Sequence, residues 1–137
     1  MHALRLAPIV TTLLGCAPTN YHRCQKPGMV SFTMRGTGWA NIGDNILHLR
    51  IFTKTDDWVE KSEAVDLPAD GKLEVELRCG LDDGEDYGVA MYINTNNNSG
   101  CQRADDAWLY DLGNTTNDVL LEVSPDDPPD SEACALF

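Results

Sequence analysis

The stretch with the most chemistry per residue is Asn94-Thr95-Asn96-Asn97-Asn98-Ser99-Gly100-Cys101, followed closely by Asp105 and Asp106. Oxygen-bearing side chains at alternate positions ahead of a glycine are the pattern that wraps Ca²⁺, because the turn brings several hard oxygens inward. Asn94, Asn96, Asn98, Asp105 and Asp106 are therefore the candidate metal ligands. Gly100 falls one place late for the EF-hand spacing, and only the two aspartates supply charge. The same residues also suit a plain exposed loop, since asparagine tolerates left-handed backbone and caps its neighbours.

Catalytic groups are sparse. Of three histidines, His2 and His22 precede the folded part, and His48 alternates outward between Leu47 and Leu49. No G-x-S-x-G, H-E-x-x-H or phosphate-binding loop occurs, and an enzyme is not expected. Asp82, Asp83, Glu85 and Asp86 supply carboxylates, which on a turn ordinarily face water. Trp39, Trp58 and Trp108 are the residues from which a sugar-stacking surface would be made, or else the rim of a core.

The elements that must position these groups read as strands. Val30, Phe32 and Met34 alternate with polar residues, as do Leu47, Leu49 and Ile51, then Leu73, Val75, Leu77 and Cys79, while Tyr87, Val89, Met91 and Ile93 are expected to line the inner face of the strand that follows. Further strands are expected at residues 63–67, 107–112 and 119–123. Pro68-Ala69-Asp70-Gly71 between two alternating runs predicts a hairpin, because proline presets φ and glycine accepts a positive one. No segment carries a 3.6-residue period. About seven short strands in a chain of 137 residues predict one all-β domain, an antiparallel sandwich.

Residues 1–15 differ from the rest. Arg5 precedes an apolar run, Leu6 to Leu14, that is shorter than the ~20 residues needed to cross a bilayer. It ends in Leu13-Leu14-Gly15-Cys16, which resembles the lipobox of bacterial lipoproteins. The resemblance implies cleavage before Cys16, acylation of its thiol and anchoring to a membrane, with Ala17 resembling lipoproteins sorted to an outer membrane. A plain secretory leader is the alternative. Parity separates the two, because five cysteines leave one thiol over unless Cys16 carries lipid. The expected organisation is thus a leader at 1–15, a lipidated tether at 16–28 and a sandwich at 29–137.

Removing the leader leaves nine Lys and Arg against 22 Asp and Glu, a formal charge of −13. Such a surface repels phosphate backbones, so a nucleic-acid partner is not expected. If successive strands alternate in direction, Cys24 and Cys79 reach one end of the domain, and Cys101 and Cys134 the other. A cystine needs Cα atoms within about 7 Å, against roughly 20 Å for a strand's length, so the pairs selected are Cys24–Cys79 and Cys101–Cys134.

The stretch from Tyr87 to Ile93 through the Asn-rich loop to Ala107-Trp108 resembles lipid-anchored bacterial sandwiches of the prealbumin or carboxypeptidase-regulatory type. It implies an Ig-like or prealbumin-like fold and a non-catalytic role. The functional expectation is an accessory or binding module of the envelope with a protein or glycan partner. A Ca²⁺-dependent carbohydrate or adhesion module is the alternative.

Overall fold

A computed structural model describes residue 24 and residues 27–95, 100–102 and 105–137. The lipobox and Cys16 lie outside the described residues, as do Asn96 and Asn98 and most of the tether. Seven strands follow in order: β1 (Met29–Gly36), β2 (Ile46–Thr53), β3 (Val59–Asp66), β4 (Leu73–Asp82), β5 (Asp86–Ile93), β6 (Asp106–Asn114) and β7 (Val119–Val123). A short 3₁₀ helix, Ser131–Leu136, closes the chain. The strands form two sheets, ordered β4-β1-β7 and β3-β2-β5-β6, and the fold is an all-β sandwich.

Alternation decides which faces meet. Phe32, Met34, Leu47, Leu49, Val89, Met91 and Ile93 are fully buried in a single cluster between the sheets. Burial of each such side chain contributes about 1.5–3 kcal/mol. Trp39 and Trp108 join them edge to face, with ring centroids 5.2 Å apart. The Trp39 indole donates to the Val123 carbonyl at 3.3 Å, so its one polar atom is satisfied inside the core.

Two sequence expectations require correction. Residues 68–71 do form a turn, with the Gly71 amide bonded to the Pro68 carbonyl at 3.0 Å and Gly71 at φ +74°. The turn is not a hairpin, because β3 pairs with β2 while β4 pairs with β1 in the opposite sheet. Turn chemistry is local, and it cannot say which sheet receives the next strand.

The sandwich is antiparallel as expected except for one pair, β1 and β7, which run parallel from Phe32↔Val119 to Gly36↔Val123. This order departs from the immunoglobulin one, where the first and second strands share a sheet. Finally, Cys79 does not face the core. The β1–β4 register slips between Val30 and Phe32, leaving extra residues on β4. Cys79 sits in that bulge at φ +51°, half-buried, with its amide bonded to Ser31 Oγ at 2.9 Å.

Strand directions alternate throughout, and loop hydrogen bonds tie the ends together. At one end, Asp83 N meets Gly28 O at 2.8 Å, Lys54 N meets Asp86 O at 2.8 Å and Gly84 N meets Thr115 O at 2.9 Å. At the other, Trp39 N meets Gly71 O and Asp44 N meets Asn94 O. Disulfides join Cys24 to Cys79 at the first end, with Cα atoms 5.4 Å apart, and Cys101 to Cys134 near the second, at 5.1 Å. Each is expected to stabilise the fold by about 2–4 kcal/mol.

The outer face of the four-stranded sheet is covered as well. Phe52, Ala90, Tyr92 and Ala107 form a second buried cluster with Ala133 of the 3₁₀ helix. Asp130 caps that helix through its carboxylate, which accepts from Glu132 N at 2.9 Å. Residues 124–137, acidic and proline-rich in sequence, are therefore part of the folded domain.

Candidate functional site

The Asn-rich loop hangs between β5 and β6, so its ends are set by strand pairing, Ile93 opposite Asp106. Asp105, 8% exposed, is the pivot. One carboxylate oxygen accepts from the Thr95 amide at 3.1 Å and from the Thr95 hydroxyl at 3.5 Å, and the other accepts from Gln102 N at 2.8 Å. The Asp105 amide in turn donates to Gln102 O at 2.9 Å. A cation at this carboxylate would have to compete with those donors.

Asn94 lies next to this staple, its carbonyl accepting from Asp44 N at 3.0 Å, while Asp106 is exposed where β6 begins. Of the five candidate ligands, then, the structure brings Asn94, Asp105 and Asp106 to one loop base. Among the described residues, no three His, Cys, Asp or Glu gather as a metal-holding group.

A second arrangement was not singled out in the sequence. His48 and Tyr92, opposite one another on β2 and β5, stack with centroids 4.5 Å apart and planes 10° from parallel. Tyr92 meets the Phe137 ring edge to face at 4.7 Å, and the Arg50 guanidinium lies 4.9 Å from the centroid of that ring. The groove above them, about 230 Å³, is also bounded by Ser62, Glu63 and Gly100. Burial raises the Tyr92 phenol above its ordinary range, with nearby Asp105 and Asp44 adding to the effect and Arg50 opposing it. The unbroken apolar run Tyr87 to Ile93 was the available clue, because a strand covered on both faces loses its alternation.

A larger groove of about 560 Å³ lies between Phe52 and Leu109 of the sheet and Leu136 of the tail. Lys54 and Asp111 cross its rim as an ion pair at 2.7 Å.

The tryptophans do not make a common surface. Trp39 and Trp108 belong to the core, whereas Trp58 is 65% exposed at the β2–β3 tip. The carboxylates of residues 82–86 do lie on a turn, the Asp82 amide donating to the Tyr87 hydroxyl at 3.0 Å. Asp86 Oδ1 is buried without a hydrogen-bond partner among the described residues.

Comparison of the chain with protein-family models, with curated proteins and with solved structures returns no match.

Proposed function

We propose that the chain is an exported, non-catalytic module of a bacterial envelope, held to a membrane by lipid on Cys16. The observation that carries this reading is the Cys24–Cys79 disulfide. It fits an oxidising compartment, and it fixes the chain to one end of the sandwich eight residues after Cys16. Eight residues span at most about 28 Å, so an acyl group there keeps that end close to the bilayer. The other two described pairing cysteines are also joined, which leaves Cys16 as the thiol available for acylation.

The partner, protein or glycan, meets a domain whose formal charge is −13 once the leader is removed, which disfavours nucleic acid. The alternative, a Ca²⁺-dependent adhesion module, requires the ion to displace the donors that now occupy Asp105.

Expression of the full chain in a two-membrane bacterium, with mass spectrometry of the membrane fraction, tests the proposal. The expected product begins at Cys16 with acyl mass added, and Cys16→Ser moves the protein out of the membrane fraction. An unmodified Cys16, or an N-terminus elsewhere, would refute the anchor.

A further inference from the structure

Trp58 sits at the same end of the sandwich as Cys24. The strand directions place the start of β1, the β2–β3 tip, the β4–β5 turn and the β6–β7 loop together, and the hydrogen bonds of Gly28, Lys54, Gly84 and Thr115 tie them. Trp58 is 65% exposed there, the most exposed large apolar residue in the described chain. The tip that carries it is well braced. Asp56 accepts from the Thr53 hydroxyl and from Trp58 N at 3.2 Å, and Thr53 N donates to Trp58 O at 2.9 Å.

Indole rings favour the headgroup layer of a bilayer, where an apolar body and one polar N–H are both accommodated. We propose that Trp58 is a second membrane contact, entering the headgroup layer of the leaflet that holds the Cys16 lipid. This rests on the anchoring proposed above. The tether supplies the reach, because about 28 Å of chain exceeds the roughly 10 Å between the two sheets. Tethering also holds the tip near the surface at an effective concentration on the order of millimolar, so one indole suffices where a free domain would not bind.

The neighbouring charges select the surface. Asp56, Asp57, Asp82, Asp83 and Glu85 are exposed at this end. They repel anionic headgroups and complement the outward ammonium of a zwitterionic one. The occupant is therefore a zwitterionic phospholipid layer, and Trp58 engagement weakens as anionic lipid is added.

The test uses the full-length acylated protein in phosphatidylcholine vesicles with brominated acyl chains. Trp39 and Trp108 are buried, so emission accessible to acrylamide reports Trp58. The expected result is bromine quenching of that emission and a severalfold fall in its acrylamide quenching. W58F abolishes both signals while remaining vesicle-bound through lipid. Phosphatidylglycerol reduces the bromine quenching at low salt, and added salt restores it. A vesicle-bound protein of acylated mass whose emission ignores bromine and stays open to acrylamide overturns the Trp58 contact alone. A mass without acyl group overturns the anchor, and this contact with it.

Discussion

Arg50 and Phe137 face each other across 4.9 Å, guanidinium to ring centroid, and this contact joins the outer sheet face to the end of the tail. The same guanidinium donates to the Leu136 carbonyl at 2.6 Å and to Ser62 Oγ at 3.3 Å. Arg50→Met keeps the aliphatic stem but removes the charge and both donors, at an expected cost of about 1–3 kcal/mol. Arg50→Lys should recover little of it, because an ammonium lacks the planar fork. Hydrogen exchange distinguishes a local effect from a global one: the Ala133 amide, bonded to Asp130 O at 3.2 Å, should exchange faster while core strand amides hold.

Asp105→Ala removes the acceptor for two part-buried backbone amides, those of Thr95 and Gln102. The expected loss is about 1–3 kcal/mol in all, read as a lower Tm. Asn at this position retains one carbonyl acceptor and should fall between the two. Millimolar Ca²⁺ is expected to leave the Tm of the parent protein unchanged, and a Ca²⁺-dependent rise that Asp105→Asn abolishes would reinstate the metal-binding loop.

Gly36→Ala should be among the most damaging single-methyl additions. A Cβ there would stand 2.1 Å from the Val123 carbonyl oxygen and 2.7 Å from Trp39 Nε1. Neither neighbour yields easily, one being the backbone of β7 and the other a fully buried indole. Overpacking of this kind costs about 1–3 kcal/mol or more. Denaturant titration should register a lower midpoint, and loss of near-ultraviolet tryptophan dichroism should accompany unfolding.

Alkaline stability should turn on Tyr110. Its hydroxyl donates to Asp127 at 2.7 Å, and burial foremost, then that carboxylate, pushes its ionisation far above the ordinary tyrosine range. The folded protein therefore holds the phenolic proton more tightly than the unfolded chain. The stabilisation is complete below the unfolded value of about 10 and is lost as the pH rises beyond it. Tm measured across that range should fall steeply in the parent and less steeply in Tyr110→Phe.

Much of the sandwich was legible because the sheets are half-buried, so Phe32, Met34, Leu47 and Leu49 write the core face as a period of two. Pairing partners were less so. The turn at 68–71 looks the same whether its strands share a sheet or divide between two, and only the register of β4 with β1 decides it. The bulge at Cys79 has no composition signal. The tail was expected to stay on the domain through Cys134, but its packing on the outer sheet face was not legible, because Ala133, Leu136 and Phe137 are scattered among acids and follow no period. For the candidate site, sequence singled out the loop at 94–106 but not the staple at Asp105, whose shortest contacts are with backbone amides that leave no mark in the sequence. The His48–Tyr92 stack was hidden for a related reason: each residue is unremarkable until β2 and β5 are laid side by side.

The parallel pairing of β1 with β7 also sets a schedule. A chain that emerges N-terminus first presents Phe32 and Met34 early, gains β4 by residue 82, and completes its three-stranded sheet only when residues 119–123 arrive. Closing so long a loop is slow, because its entropy is lost before the last contacts form. Until then β1 has an open edge and an incomplete apolar cover. A chain cut before residue 119 is accordingly not a smaller version of this domain but a sheet without its closing strand.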